Sequence, residues 1–182
     1  MANPKSAYSI PTKIGKFDTH IFVVWVDNEA GVLARVVGLF SGRGYNIESL
    51  AVAEVDATKN ISRITIVTTG TPQVIDQIKL QLKKLVPVHK VADFKREDKN
   101  VIFKEMALFK VVGSNSKKEK ALKACKKYNA VILDKTSKSY VIQITALRRE
   151  IDIAAKSLKK YGLVSISRTG AVAMTRGSEV FK

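Results

Sequence analysis

One cysteine, two histidines and one tryptophan stand among 182 residues. With Cys125 alone, no internal disulfide can form, which suits a reducing cytosol and argues against an oxidising compartment. His20 and His89 are isolated from Cys125 and from any acidic cluster, so a metal site has no support in the spacing. No Ser/His/Asp or Cys/His set stands in a recognisable context, and the expectation is a chain with no catalytic residues and no bound metal. Apolar runs are short: HIFVVWV, residues 20–26, is far below the ~20 residues that span a bilayer. The N-terminus lacks the basic, then apolar, then small-residue layout of a secretory signal. Lys5, Lys13 and Lys16 with Ser6, Ser9 and Thr12 make a basic, hydroxyl-bearing stretch. It is short for an organelle transit peptide and is read as a flexible tail over 1–17. The expected location is cytoplasmic.

Apolar residues make up 46%, enough for a buried core. The formal net charge of +16 is unevenly spread. Residues 1–17 carry +3, residues 18–93 carry zero, and residues 94–182 carry +13. A basic half invites a polyanionic partner. That idea has to be weighed against what the chain offers for binding one.

The order of elements is repeated. HIFVVWV reads as a buried strand. A helix from Gly31 sets Leu33, Val36, Val37 and Phe40 on one face, and Gly42 and Gly44 stop it. Residues 46–55 and 61–69 read as strands joined by a loop at 56–60. Thr71 is a candidate N-cap with Pro72 at the first helical position. The helix then repeats Ile75, Ile78, Leu82 and Leu85, Pro87 marks its end, and residues 88–94 form a last strand. KREDKN, residues 95–100, is charged and aperiodic, and a linker is placed over 95–103. Beyond it come strand 104–112, helix 117–128, strands 130–136 and 139–146, helix 149–161 and strand 163–168. The expectation is an α+β protein of two ferredoxin-like βαββαβ domains, at 18–94 and 104–177, with a tail at 178–182. Sheets with helices on one face leave the other uncovered, so side-by-side dimerisation is expected.

Gly42-Arg43-Gly44 begins a dinucleotide fingerprint, but Ile47 stands where a third glycine belongs. The pattern also ends a helix rather than opening one, and it is rejected. Cys125 falls with Ala121, Leu122 and Tyr128 on an apolar helix face and reads as a small buried hydrophobe. A βαββαβ sheet that binds RNA needs aromatic residues on its central strands. ISRITIVTT has none and SYVIQITAL only Tyr140, which argues against nucleic acid. Lys117, Lys118, Lys120, Lys123, Lys126 and Lys127 fall mostly opposite the apolar face of their helix and read as solvated.

One turn remains. Asn28-Glu29-Ala30-Gly31 feeds a strand into a helix whose first N–H groups have no intrahelical partner. Those groups carry partial positive charge and suit a carboxylate. Gly31 lets a ligand approach the backbone, and Asn28 offers both a donor and an acceptor. Asn46 can reach the same region from a neighbouring subunit. This is the chemistry of holding a free amino acid, although the same residues also serve as a helix cap and an eased turn.

DNEAGVLARVVGLFSGRGYNIESLAVA, SRITIVT and QIKLQLKKLVPVHKV together resemble the small regulatory subunits of acetolactate synthase (acetohydroxyacid synthase). The closing SRTGAVAMTRG is similar to that family's last segment. The resemblance implies an N-terminal ACT domain, a C-terminal ACT-like domain and no catalysis by this chain. It implies a catalytic large subunit as partner, carrying thiamine diphosphate, Mg²⁺ and FAD, none of which belongs here. It further implies activation of that partner and feedback inhibition by valine or another branched-chain amino acid, bound between the ACT domains of a homodimer. The matching positions are Asn28, Gly31 and Asn46, with Glu29, Ala30, Val32 and Leu33 lining the turn. A free-standing amino-acid sensor and, further off, an RNA-binding protein are the alternatives.

Overall fold

The computed structural model describes residues 16–178. Most of the expected N-terminal tail, and residues 179–182 of the C-terminal one, lie outside them. Along the chain run β1 (Asp18–Asp27), α1 (Val32–Ser41), β2 (Ser49–Asp56), β3 (Ile61–Gly70), α2 (Pro72–Lys83) and β4 (Val88–Lys95). There follow β5 (Val101–Val112), α3 (Asn115–Cys125, extended by a 3-10 turn, Lys126–Tyr128), β6 (Val131–Lys135), β7 (Ser139–Ala146), α4 (Arg148–Lys159) and β8 (Leu163–Thr175). They form two four-stranded antiparallel sheets, ordered β2-β3-β1-β4 and β6-β7-β5-β8. Both halves are therefore ferredoxin-like, as their element order implies.

Local chemistry accounts for the boundaries. The Thr71 hydroxyl accepts from the Val74 N–H at 3.4 Å, with Pro72 opening α2. The Asp56 carboxylate accepts the backbone N–H groups of Thr58 and Lys59, each at 3.1 Å, and closes the β2–β3 loop. Gly44 adopts φ 68° just past α1. In the first core, Phe22, Val24 and Val26 of β1 meet Ile64 and Ile66 of β3 under Val36 and Phe40 of α1 and Ile75, Ile78 and Leu82 of α2. In the second, Phe109, Val111, Ile142 and Ile144 lie under Cys125, Ile151 and Leu158. Burial in that apolar setting pushes the Cys125 thiol up to about 11.

Several elements differ from the sequence expectations. The last strand does not stop at 168. Its ladder with β5 shifts register between Glu105 and Ala107 and then continues to Thr175, while β5 starts at Val101, inside the stretch read as linker. The added ribbon, Val101 and Phe103 with Ala171 and Ala173, packs on Ile21, Val23, Val67, Ala92 and Phe94. The rear face of the first sheet is thus covered by the same chain rather than left open for a partner. This explains why HIFVVWV shows no alternation: both faces of β1 are buried, at about 1.5–3 kcal/mol per large side chain. Lys118, read as solvated, is fully buried; its Nζ donates to the Thr136 carbonyl at 3.0 Å and to the Ser137 carbonyl, and lies 4.9 Å from the Tyr140 ring centre. On α1, Val32 and Leu39 take the buried places with Val36 and Phe40, while Leu33 and Val37 stay exposed at 38% and 36%.

The ribbon is fastened where it bends. Gly170 sits at φ 81°, and Ser49 Oγ accepts from the Ala171 N–H at 3.2 Å. Arg168 clasps buried Glu105 with two bonds of 2.6 and 2.7 Å and reaches Asp152 at 2.7 Å; these carboxylates raise its affinity for its proton further. Half-buried Arg63 donates to the Ala173 carbonyl and lies 5.3 Å from the Trp25 ring centre; desolvation lowers its pKa.

A Cβ on Gly170 would stand 2.9 Å from Ser49 Oγ and 3.1 Å from the Leu50 carbonyl oxygen, in a backbone region that L residues avoid. Gly170→Ala should therefore cost about 1–3 kcal/mol, read as a thermal midpoint lower by about 2–4 °C per kcal/mol. Cys125 should resist a thiol reagent in the native protein at mildly alkaline pH and react at once in denaturant, as its burial and raised pKa require.

Candidate functional site

The turn between β1 and α1 is held by Asn60, just before β3, and by Ser62 of β3. Asn28 N–H donates to the Asn60 carbonyl at 2.7 Å, and Asn60 Nδ2 donates back to the Asn28 carbonyl at 3.3 Å. Ser62 Oγ donates to Asn28 Oδ1 at 2.9 Å. The last bond sets the orientation of the Asn28 amide. Its Nδ2, with two N–H donors, finds no acceptor among the described residues. Asn28 is thus not the cap of α1.

Gly31 takes the N-cap position instead, at φ 85° and ψ −8°, with no side-chain cap hydrogen bond. A Cβ there would meet nothing within 4 Å, so space is open and backbone conformation alone asks for glycine. Val32 N–H reaches the Glu29 carbonyl at a long 3.4 Å, and Arg35 N–H reaches the Gly31 carbonyl at 3.0 Å. The N–H groups of Leu33 and Ala34 meet no acceptor among the described residues. Two free donors at the positive end of a helix of ten residues form a corner whose polarity suits an anion.

Of the seven residues singled out in the sequence, Asn28, Glu29, Ala30, Gly31 and Leu33 are brought together on one exposed surface. Val32 is not part of that surface: it is 4% exposed and packs into the core beneath the turn. Asn46 is exposed three residues before β2, its carbonyl accepting from Thr68 Oγ1 at 2.7 Å. Ser62, which orients Asn28, is buried and had no signal of its own; only the register pairing Val26 with Ser62 places it under the turn.

Within a single chain the corner is open. None of these residues lines the larger concavities of the described structure. The largest of those, about 720 Å³, lies between edge strand β2 and the β5–β8 ribbon and is lined by Val52, Val55, Ile102, Val172 and Met174. Beside the turn, exposed Leu33 and Val37 form an apolar strip one helical turn long. Among the described residues no group of three or more His, Cys, Asp or Glu side chains is placed to hold a metal ion. His20 pairs with Asp93 and His89 with Asp27, both at 2.6 Å. No helix among the described residues is long and apolar enough to cross a membrane.

Comparison with known proteins gives a consistent set of likenesses. The family model described as "AHAS small subunit-like ACT domain" matches residues 22–90, and "Small subunit of acetolactate synthase" matches residues 104–177. A probable acetolactate synthase small subunit from Methanothermobacter thermautotrophicus is 36% identical over 162 residues, covering 88% of this chain and 95% of its own. The acetolactate synthase small subunit of Haemophilus influenzae is 38% identical over 160 residues, covering 87% and 96%. The crystal structure of the Thermotoga maritima acetolactate synthase small subunit superposes with a TM-score of 0.79 at 33% identity, over 88% of this chain and 99% of that one.

The bond from Ser62 to Asn28 can be tested without a ligand. Ser62→Ala should cost about 0.5–1.5 kcal/mol. Amide exchange at Asn28 and Asn60 should rise more than elsewhere in the first domain; uniform exchange across that domain would show that Ser62 does not hold the turn.

Proposed function

Since the chain belongs to the acetolactate synthase small-subunit family, we propose that it is a non-catalytic regulatory subunit. It raises the turnover of a catalytic large subunit and subjects it to feedback by valine or another branched-chain amino acid. Thiamine diphosphate, Mg²⁺ and FAD belong to that large subunit, and this chain takes none of them. The observation that carries the effector reading is a corner that is chemically complete and spatially half-built. The donors of Leu33, Ala34 and Asn28 Nδ2 are free, while no wall of the same chain faces them.

A second copy of the chain supplies the wall. The exposed Leu33–Val37 strip lies beside the corner, and the outer edge of β2, with Val52 and Val55 at 46% and 52% exposure, is a second apolar surface. A homodimer that pairs them brings Asn46 of one subunit toward the turn of the other. The ligand carboxylate then sits on the helix N–H groups and on Asn28 Nδ2, and the side-chain oxygen of the partner's Asn46 accepts from the ammonium group. Glu29 offers the ammonium group a counter-charge, and Leu33 gives its branched side chain an apolar surface. An effector gripped by both subunits prefers one packing of the pair over another, and a preference of about 1–3 kcal/mol suffices for control.

The deciding experiment is pyruvate-to-acetolactate turnover by the cognate large subunit, with and without this chain, across a valine titration. Turnover should rise with the chain and fall again with valine; leucine and isoleucine are titrated in parallel. No change in turnover would favour a free-standing sensor. Gly31→Asp should abolish inhibition and keep activation. Gly31→Ala, with the same positive-φ strain but no charge, should keep both. Equal loss in the two variants would assign Gly31 to folding alone. Asn28→Ala should weaken effector binding by about tenfold or more in calorimetry, as for a hydrogen bond to a charged group.

A further inference from the structure

Residues 18–93 carry no net charge, whereas residues 94–182 carry +13. The structure gathers much of that excess on the outer surface of α3 and α4. Lys117, Lys120, Lys123 and Lys127 are exposed along α3 and its closing turn; Arg149, Lys156 and Lys160 are exposed along α4 and its C-cap. The acids of this layer are already engaged. Glu119 accepts from Tyr140 at 2.7 Å and pairs with Lys135 at 3.7 Å, Asp152 takes Arg168, and Glu150 accepts the Leu147 N–H at 2.9 Å. Lys120, Lys123, Lys156 and Lys160 have no carboxylate partner among the described residues.

Lys123, Lys156 and Lys159 stand in last turns, where the dipole favours cations, but part of the placement works against the helices. Lysines three apart on α3 are like-charged neighbours, which weakens a helix. Lys117 lies in the first turn of α3 and Arg148 and Arg149 in the first turn of α4, where the helix dipole disfavours cations. A face that only meets water lowers both penalties by mixing signs. Here the few acids are already paired, and the lysines remain in excess.

An apolar centre lies within the charge. Ile153, at 52% exposure, is four residues after Arg149 and three before Lys156 on α4, so the three share one stripe. Half-buried Tyr161 carries Lys160 Nζ 5.0 Å from its ring centre at the end of the same helix. An apolar centre inside a charged rim is the anatomy of a protein interface. A base-stacking platform is missing: Tyr140, the aromatic residue of β7, is 3% exposed and packed beneath the helices.

We propose that the α3–α4 layer is a docking face for an acidic surface of a protein partner, which on the reading above, and resting on it, is the catalytic large subunit. The test uses the full chain and the cognate large subunit, with the dissociation constant measured at about 50 and about 300 mM salt. The double variant Lys120→Glu/Lys123→Glu should bind about tenfold more weakly, with a shallower salt dependence. Ile153→Ser should weaken binding several-fold and keep the salt dependence. Circular dichroism and effector calorimetry should stay as in the wild type, since both changes lie on helices of the second domain and the β1–α1 turn belongs to the first. If the wild type binds and both variants bind equally well, the docking face is elsewhere. If the wild type does not bind the large subunit at all, the regulatory reading falls first and this inference with it. Saturable binding of a poly(U) probe that the same variants abolish, with large-subunit affinity intact, overturns the proposal in favour of nucleic acid.

Discussion

The burial of the rear face of the first sheet constrains the rest of the molecule. A four-stranded sheet with two helices on one side leaves its other side to be covered. Ile21, Val23 and Val67 present that side, and Val101, Phe103, Ala171 and Ala173 cover it from the ends of β5 and β8. The two domains therefore do not hang on a linker. They share a third apolar cluster, and the ribbon that forms it belongs to the sheet of the second domain.

That sharing decides the surroundings of β2. Its approach is tied to β3 through the Asn46 carbonyl to Thr68 and through Glu48 N–H to the Val67 carbonyl at 2.8 Å. On its other side it is tied to the second domain: Ser49 receives the Ala171 N–H, and Arg148 donates to the Glu48 carbonyl at 3.3 Å. The segment just after Asn46 thus answers to both domains at once. At this junction Ser49 Oγ and both backbone polar groups of Glu48 have partners. The β1–α1 corner, by contrast, keeps its donors free in full view of solvent, where unpaired N–H groups are hydrated at little cost.

Charge and burial separate in the same way. Buried Lys118 is engaged by two carbonyls and the Tyr140 ring, and the more exposed Arg168 by two carboxylates. Lys120, Lys123, Lys156 and Lys160, without a carboxylate partner among the described residues, stand on the outer helices. Lys118 shows how little residue type alone says, since it sits among lysines of the same helix that are exposed.

Element order, the Thr71 cap, the two helix-covered cores and the glycine demanded at position 31 were legible because each depends on contacts between residues close in sequence or on strict periodicity. The β1–α1 turn was legible in the same way, as a local run of polar residues before an apolar helix. The end of β8 was not, because the ladder shift at Glu105 breaks the alternation that marks a strand, and Gly170 within it reads as a stop. Nor was the part of Ser62 in holding Asn28, since strand register brings together two residues 34 apart in sequence. The sequence by itself determined two ferredoxin-like units and a candidate corner for a small anion. Only the tertiary structure decided that one unit covers the other, that Val32 lies beneath the corner while Leu33 stays outside, and that Lys118 is core. Those outcomes depend on which side of a strand or helix meets a distant surface, and that is settled by packing geometry, not by residue type.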